Sequence, residues 1–148
     1  MSKVSTNCQG LQESDLEILL RERLLKYLIT REKGNFHWMK ENRTKSNYSI
    51  YNIVSSNGIV QFRYKIGDYP SFLVGKDVIK FRLCNVEFSE NKQRKGILTS
   101  MMKIVEEFAP RFGYKVIQIE CPNSQAIQSW GKKNGFKDCS EDLWEKLL

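Results

Sequence analysis

The chain lacks several residue patterns that mark common functional classes. Its 148 residues contain one histidine, His37, and four widely separated cysteines without a CxxC pair. A zinc site or any other metal site is therefore not expected, because such sites need several ligands at short, regular spacings. The chain also contains no GxxxxGK[ST] and no GxGxxG motif, which argues against ordinary binding of nucleoside triphosphates or dinucleotides.

Long apolar stretches are also absent. The sequence has no run of about 18 apolar residues, and its first residues lack the apolar segment of a signal peptide. We therefore expect no membrane span and a cytoplasmic location in which the cysteines stay reduced. The apolar fraction of 41% and the charged fraction of 28% are typical of a globular domain. At this length we expect a single domain, residues 1–148, with a sizeable core.

The first half of the sequence predicts two helices. Apolar residues recur at helical spacing after Ser14 or Asp15, either of which can cap the helix: Leu16, Leu19, Leu20, Leu24, Tyr27 and Leu28. Asn35 predicts the start of a second helix through His37, Trp38 and Met39. We interpret His37 as a packed or surface residue rather than a base. Residues 1–12 are predicted to be either flexible or an edge strand over 4–8.

A β-hairpin is predicted next. The runs 48–54 and 59–66 are rich in β-branched and aromatic residues, and the segment Ser55-Ser56-Asn57-Gly58 joins them. Asn-Gly between two such runs is a strong hairpin signal. Residues 67–72, which include Gly67 and Pro70, are predicted to form a turn or loop that leads to the central strand.

The second half predicts the order strand, basic turn, helix, strand, helix. The strand covers 78–88, the turn covers 93–98, and the following helix carries Met101, Met102, Val105 and Phe108. A second strand over 114–120 precedes a helix that ends at Asn134-Gly135. Residues 143–148 are interpreted as a closing strand, with a terminal helical turn as the alternative.

The basic turn is suited to an anion. A helix N-terminus leaves backbone N–H groups unpaired and carries the positive end of the helix dipole. Gly96 lacks the Cβ that would hold a phosphate away from the backbone. Alone, this pattern is a weak signal.

Two motifs lie in this half, one at Gln93, Gly96 and Leu98 and the other from Asn123 to Phe136. Both resemble motifs of the GNAT superfamily of acetyl-CoA-dependent N-acetyltransferases. The family's pyrophosphate motif is Arg or Gln, two residues, Gly, one residue, then Gly or Ala, and Gln93, Gly96 and Leu98 stand in those places. The second motif is Asn, two residues, Ala-Ile, an aromatic residue and a Lys-rich turn into Gly-Phe. Its matches are Asn123, Ala126, Ile127, Trp130, Lys132, Lys133, Gly135 and Phe136. The resemblance covers roughly residues 76–148.

The resemblance implies an α/β fold, a single GNAT-like domain whose mixed, mostly antiparallel twisted sheet is flanked by helices and splays at the cofactor site. It implies an enzyme that moves an acetyl group from acetyl-CoA to an amine-bearing acceptor. The implied cofactor-binding residues are Phe88, Gln93, Arg94, Lys95, Gly96, Ile97, Leu98, Asn123 and Trp130. In the family, a backbone N–H on the central strand polarises the thioester carbonyl, and here it would lie near Phe88.

Two carboxylates are candidates for the catalytic base. The attacking amine must be neutral, so a base or a water relay must take its proton. Glu87 is the first candidate because it ends the central strand beside the expected splay, and Glu120, at the end of the neighbouring strand, is the second. The alternative is that either is a solvated carboxylate at a strand end.

The chain departs from the family pattern at two places. Leu98 replaces the small residue of the family motif. Two consequences are open: weaker binding of the cofactor, or a different position of the loop.

Many family members use a Tyr to protonate the departing thiolate. Here, counting back from Gly135 gives Gly131, and counting forward from Asn123 gives Trp130. A thiol has a pKa near 8.5, so the thiolate is a tolerable leaving group even without a proton donor. We therefore expect the missing Tyr to slow catalysis but not to abolish it. The departures also favour one alternative, a weakened GNAT-like domain that binds protein or nucleic acid. A separate alternative is an unrelated α/β nucleotide-binding protein whose Gly96 turn holds a different phosphate.

The net charge of +7 has two interpretations. Lys92, Arg94 and Lys95 cluster where a polyanionic coenzyme would bind. The remaining basic residues of the first half indicate either a solvated helical face or a surface that attracts an acidic partner such as RNA or DNA. The identity of the acceptor cannot be read from the sequence.

Overall fold

The computed structural model describes residues 15–42, 48–58, 60–74, 77–87, 96–120, 122, 125–140 and 142–148. The edge strand expected over 4–8 lies outside these residues. The described elements, in chain order, are α1 (Asp15–Glu32), β1 (Phe36–Asn42), β2 (Tyr48–Ser55), β3 (Gln61–Pro70), β4 (Asp77–Glu87), α2 (Ile97–Phe112), β5 (Val116–Glu120), α3 (Gln125–Lys133), β6 (Lys137–Asp138) and β7 (Leu143–Leu147).

The described strands form one sheet in the order β1-β2-β3-β4-β5-β7-β6. Neighbouring strands are antiparallel except for β4 and β5, which are parallel. Parallel neighbours need a crossover connection, and α2 provides it. The predicted α/β class with a mixed, mostly antiparallel sheet is therefore confirmed.

One apolar core lies between the helices and one face of the sheet. From α1 it includes Leu20, Leu24 and Leu28, and from α2 it includes Met101 and Val105 among others. Three rings from β2, β3 and β4 stack across the sheet, with centroids 5.2 Å apart for Tyr51–Tyr64 and 4.9 Å apart for Tyr64–Phe81. Each such pair contributes about 0.5–1.5 kcal/mol beyond its burial. The core thus ties the helices to the central strands that carry the candidate site.

Strand β1 corrects the predicted second helix. It pairs with β2 along its whole length, from Phe36 opposite Ser55 to Asn42 opposite Ser49. Phe36 and Trp38 pack against the core, whereas His37 between them is exposed. This two-residue period is typical of a half-buried strand. The helix prediction was wrong because it took Asn35 as a cap and passed over this alternation.

Strand β3 is longer than predicted. Its backbone pairs with β4 through Gly67 and on to Pro70, which lies opposite Asp77. The turn begins only after Pro70, so the prediction of a turn or loop is wrong for residues 67–70. Gly and Pro suggested a break, but Pro70 is the last residue of the strand, where its missing N–H interrupts little of the ladder.

The remaining elements lie where the sequence predicts them, except β6 (Lys137–Asp138), which was not predicted. The β2–β3 hairpin turns at Gly58, which has a φ of 74°, and α3 is followed by Gly135 with a φ of 88°. Residues 143–147 form a strand rather than a helical turn. These agreements follow from strong local signals, since Gly tolerates positive φ and the apolar runs have clear stops.

Candidate active site

The parallel strands β4 and β5 separate near the centre of the sheet. Their pairing covers three residue pairs and ends at Leu83 and Ile119. Strand β4 continues to Glu87, and past Leu83 its residues are paired with β3, not with β5. The splay that the sequence resemblance implies is therefore present. We call the opening bounded by residues 84–87 of β4 and by Glu120 of β5 the strand fork.

A β-bulge in β4 marks the start of the strand fork. Tyr64 of β3 lies opposite Leu83, but Arg63 lies opposite Asn85, so Cys84 is an extra residue in β4. A bulge bends its strand and increases the local twist. Because the bulge coincides with the last β4–β5 pair, we attribute the separation of the two strands to this extra residue.

The Cys84 thiol lies at the base of the strand fork without being a nucleophile. Burial is the main cause that raises its pKa, and the negative charge of Glu120 adds to it, giving a value of about 12. Lys65, Arg63 and Arg82 act in the opposite direction but do not outweigh burial. Since the thiolate is the reactive form, Cys84 stays a neutral thiol near physiological pH.

We expect Cys84 to react slowly with iodoacetamide at pH 8 in the folded protein. With a pKa of about 12, only about one thiol in 10⁴ is ionised at that pH. Peptide mass spectrometry over a time course measures the modification, and the same peptide in denaturant is the control. Equal rates in the folded and denatured protein would contradict the buried position of this thiol.

Glu120 lies at the mouth of the strand fork between two cations. Its Oε2 atom is 3.1 Å from Lys65 Nζ and 3.2 Å from Arg82 Nη1. The three side chains are largely shielded, with exposed fractions of 16%, 13% and 26% for Lys65, Arg82 and Glu120. Lys65 and Arg82 are direct cross-strand partners on the face of the sheet opposite the core. The Glu120 carboxylate is therefore held in one position by charge.

A second carboxylate on this face was missed by the sequence analysis. Glu145 of β7 is fully buried and accepts hydrogen bonds from Ser71 Oγ at 2.7 Å and Gln118 Nε2 at 2.6 Å. The backbone N–H groups of Phe72 and Leu73 also donate to it. Burial alone would raise the pKa of Glu145, but these hydrogen bonds outweigh burial and lower it. The available signal was a polar residue, Gln118 or Glu145, inside an otherwise apolar strand run.

Glu145 is connected to the strand fork. The Oε1 atom of Gln118 accepts a hydrogen bond of 2.8 Å from Arg82 Nε, and the other end of the Arg82 guanidinium contacts Glu120. We call the four side chains Glu145, Gln118, Arg82 and Glu120 the fork network. It crosses β7, β5 and β4 on the face opposite the core.

The start of α2 follows the carboxyl end of β4 in the chain and has free space around its N-cap residue. Gly96 is the N-cap residue with a φ of 72°, no described side chain caps the helix, and its first turn contains no acidic residue. A Cβ built on Gly96 would meet no atom within 4 Å among the described residues. Ile97 and Leu98 are buried in the core, so the side chain of Leu98 does not lie over the open helix start.

Trp130 and Gly131 lie beside this helix start. Trp130 Nε1 donates a hydrogen bond of 2.9 Å to Thr99 Oγ1 in the first turn of α2, and its ring lies 5.6 Å from that of Phe136. A Cβ on Gly131 would lie 3.1 Å from Trp144 Cε3, closer than ordinary packing allows. Any side chain larger than that of Gly at position 131 would therefore require Trp144 to move.

The structure brings some predicted site residues together and leaves others apart. Glu87 ends β4 at the strand fork and is exposed, and no described side chain forms an ion pair with it. Five predicted cofactor-binding residues lie outside the described part of the chain: Phe88, Gln93, Arg94, Lys95 and Asn123. His37 lies on β1, separated from β4 by two strands, where its Nε2 is 3.2 Å from Ser56 Oγ.

The described residues contain neither a metal-binding cluster nor a membrane-spanning helix. Within 15–42, 48–58, 60–74, 77–87, 96–120, 122, 125–140 and 142–148, no group of three or more His, Cys, Asp or Glu side chains could hold a metal ion. Over the same ranges, no helix has the length and apolar character needed to cross a membrane.

Comparison with known proteins finds similarity in structure. No protein-family model matches the chain, and no curated protein matches its sequence. A GNAT family acetyltransferase from Elizabethkingia anophelis, solved with acetyl-CoA bound, is 16% identical with a TM-score of 0.43, covering 77% of this chain and 99% of its own. A GNAT family acetyltransferase from Listeria monocytogenes is 15% identical with a TM-score of 0.44, covering 67% and 64%.

The PaiA N-acetyltransferase from Thermoplasma acidophilum, solved in complex with coenzyme A, is 13% identical with a TM-score of 0.45, covering 95% of this chain and 82% of its own. All three are acetyltransferases. Two of them are described as members of the GNAT family.

Proposed function

We propose that the protein transfers an acetyl group from acetyl-CoA to the amine of an acceptor. The observation that carries this proposal is the strand fork, which opens at the carboxyl ends of β4 and β5 beside the uncapped start of α2. Ligands of α/β sheets commonly bind outside the carboxyl ends of the strands, and a helix start attracts phosphate. The fork and the helix start together suit a ligand with an elongated arm and a pyrophosphate.

In this proposal the coenzyme binds along the second half of the chain. The backbone N–H groups at Gly96, Ile97 and Leu98 bind the pyrophosphate. Gln93, Arg94 and Lys95, just before them in the sequence, add positive charge or hydrogen bonds. Asn123, just before α3 in the sequence, and Trp130 of α3 complete the set of cofactor-binding residues. The pantetheine arm then enters the strand fork, where the backbone N–H near Phe88 polarises the thioester carbonyl.

The transfer step needs a base and a path for the leaving group. Glu87 takes a proton from the attacking amine, the new N–C bond forms at the acetyl carbon, and the C–S bond breaks to release the coenzyme thiolate. Glu120 is the second candidate base, but its carboxylate is already held by Lys65 and Arg82. Since Trp130 and Gly131 offer no acid, the thiolate takes its proton from water.

We expect the protein to release coenzyme A from acetyl-CoA when a suitable amine is present, faster at higher pH. An amine with a pKa near 10.4 becomes roughly tenfold more available per pH unit below that value. Chromatography quantifies coenzyme A and acetylated amine between pH 6.5 and 9.5 over a panel of small amines, peptides and aminoacylated RNA. Reactions without protein are the control, and a profile that falls on the alkaline side would contradict the absence of a catalytic acid.

A second candidate function is a GNAT-like module that binds a partner without turnover. The tight packing of Gly131 against Trp144, which leaves no room for a catalytic phenol, favours it. The exposed basic residues Arg23, Lys26 and Arg31 of α1 would then attract an acidic protein or a nucleic acid. Tight binding of acetyl-CoA with no acetylation of any acceptor in the panel would replace the transferase proposal with this one.

A further inference from the structure

The fork network connects a buried carboxylate to the strand fork. Glu145 is fully buried in β7, and the adjoining strand β5 carries Gln118 directly opposite it. Gln118 is also fully buried, and its cross-strand neighbour on β4 is Arg82. A buried charge of this kind is costly unless its hydrogen bonds are satisfied. The arrangement of these bonds therefore indicates what Glu145 does.

Both oxygens of the Glu145 carboxylate act as acceptors. Oε1 accepts from Ser71 Oγ and from the backbone N–H of Leu73. Oε2 accepts from the backbone N–H of Phe72 and from Gln118 Nε2. Four donors on two oxygens leave little room for a carboxyl proton and favour the ionised form, which agrees with the lowered pKa of this group.

The bond to Glu145 sets the orientation of the Gln118 amide. With its NH2 group donating to Glu145, the amide presents Oε1 to Arg82 Nε at 2.8 Å. If the amide were reversed, its NH2 group would face the Arg82 N–H, and two donors would oppose each other. Through this orientation Glu145 also fixes the guanidinium whose Nη1 contacts Glu120 at 3.2 Å.

We propose that Glu145 is a positioning residue for the strand fork, acting through Gln118 and Arg82 on Glu120. The expected effect of Glu145 on kcat rests on the proposed acetyl transfer. The expected effect on the arrangement of Arg82 and Glu120 does not. In the absence of the Glu145 charge, Arg82 and Glu120 would still attract each other but would no longer share one fixed arrangement.

The variant Glu145→Gln tests this role with little change in shape. The new amide has one acceptor and one NH2 group in place of two acceptors. Wherever the NH2 group lies, it faces the backbone N–H of Phe72 or of Leu73, and in one of the two orientations it also faces the Gln118 donor. Gln118→Leu is a second variant that removes the link to Arg82 but leaves Glu145 with Ser71 and the two N–H groups.

Glu145 also anchors residues 71–73, just after β3. Two further variants separate this anchoring from the positioning of Arg82. Ser71→Ala removes the hydroxyl that bonds Glu145 and the N–H groups of Leu73 and Val74, but it keeps the Glu145–Gln118 bond. The double variant Gln118→Glu/Glu145→Gln moves the charge to β5, where it can still accept from Arg82 and from the new amide. It restores the connection to Arg82 but not all loop contacts.

The readout is the exchange of the Arg82 Nε–H proton with water, followed by NMR of the full chain without any ligand. We expect exchange to be about tenfold faster in Glu145→Gln and in Gln118→Leu, since one buried hydrogen bond to a charged group is lost. We expect rates near those of the parent in Ser71→Ala and in the double variant. Unchanged exchange in Gln118→Leu, or equal acceleration in Ser71→Ala, would overturn the proposal even if Glu145→Gln did not fold.

A kinetic arm shows whether this positioning serves acetyl transfer. Where Glu120, the second candidate base, takes part in the transfer, Glu145→Gln should lower kcat about tenfold with little change in KM for acetyl-CoA. The double variant should recover most of this loss, measured with an amine that the parent acetylates. A parent that transfers nothing while the exchange rates follow the expected pattern refutes acetyl transfer but supports the positioning role. Normal kcat in Glu145→Gln together with faster Arg82 exchange overturns the link to catalysis.

Discussion

Replacing Glu87 by Gln is expected to lower the rate of acetyl transfer by roughly 10² to 10⁴, the usual contribution of a positioned general base. Glu87 ends β4 at the strand fork, is exposed, and has no ion-pair partner among the described side chains. Its carboxylate is therefore available to accept a proton from the acceptor amine. An amide of nearly the same shape cannot take that proton.

The affinity for acetyl-CoA should stay nearly unchanged in Glu87→Gln, because the base acts on the acceptor amine and does not contribute to binding of the cofactor. Glu107→Gln is a matched control, since Glu107 is an exposed carboxylate on α2 paired with Arg23 at 3.1 Å. Steady-state transfer rates and calorimetric binding of acetyl-CoA give the two quantities. A full rate in Glu87→Gln with a large loss in Glu120→Gln would reassign the base to Glu120.

Gly96→Glu is expected to weaken the binding of acetyl-CoA about 100-fold, as the loss of roughly two charge-assisted hydrogen bonds requires. The new carboxylate would lie at the open start of α2, where it would occupy the anion site and repel the pyrophosphate. A Cβ there meets no described atom within 4 Å, so the side chain itself has space. The positive φ of 72° adds about 1–2 kcal/mol of backbone strain.

Gly113→Glu separates this strain from the anion site. Gly113 has a φ of 82° at the other end of α2, about 24 Å away along the 16-residue helix, and also has space for a Cβ. Both variants carry the same charge and similar strain. Calorimetric titration should find the affinity of the parent in Gly113→Glu, and equal weakening in both variants would mean that α2 does not bind the phosphates.

The elements that the sequence predicted correctly have strong local signals. The run at 116–120 is flanked by clear stops, and α2 has a continuous apolar face that the structure buries. The weaker segments failed where pairing overrode local preference. Strand β1 forms because its residues pair with β2 at every position, and β3 continues past Gly67 because β4 lies alongside it.

The candidate site was predictable only in part for the same reason. The position of Gly96 at a helix start follows from neighbouring residues, but the bulge at Cys84 depends on the register of β3 against β4. Glu145 meets Ser71 and Gln118, which are 74 and 27 residues away in sequence. A pattern within a short stretch of sequence cannot predict contacts between residues this far apart. The fork network could therefore be identified only from the structure.

Thermal unfolding with and without acetyl-CoA tests the central claim most directly. A ligand that binds only the folded state at 100 times its dissociation constant adds about 2.7 kcal/mol of stability. We expect acetyl-CoA to stabilise the parent and Gly113→Glu by such an amount, and to leave Gly96→Glu almost unaffected at the same concentration. Stabilisation of the parent by ATP or NAD but not by acetyl-CoA would contradict the proposed acetyl-CoA site at the strand fork.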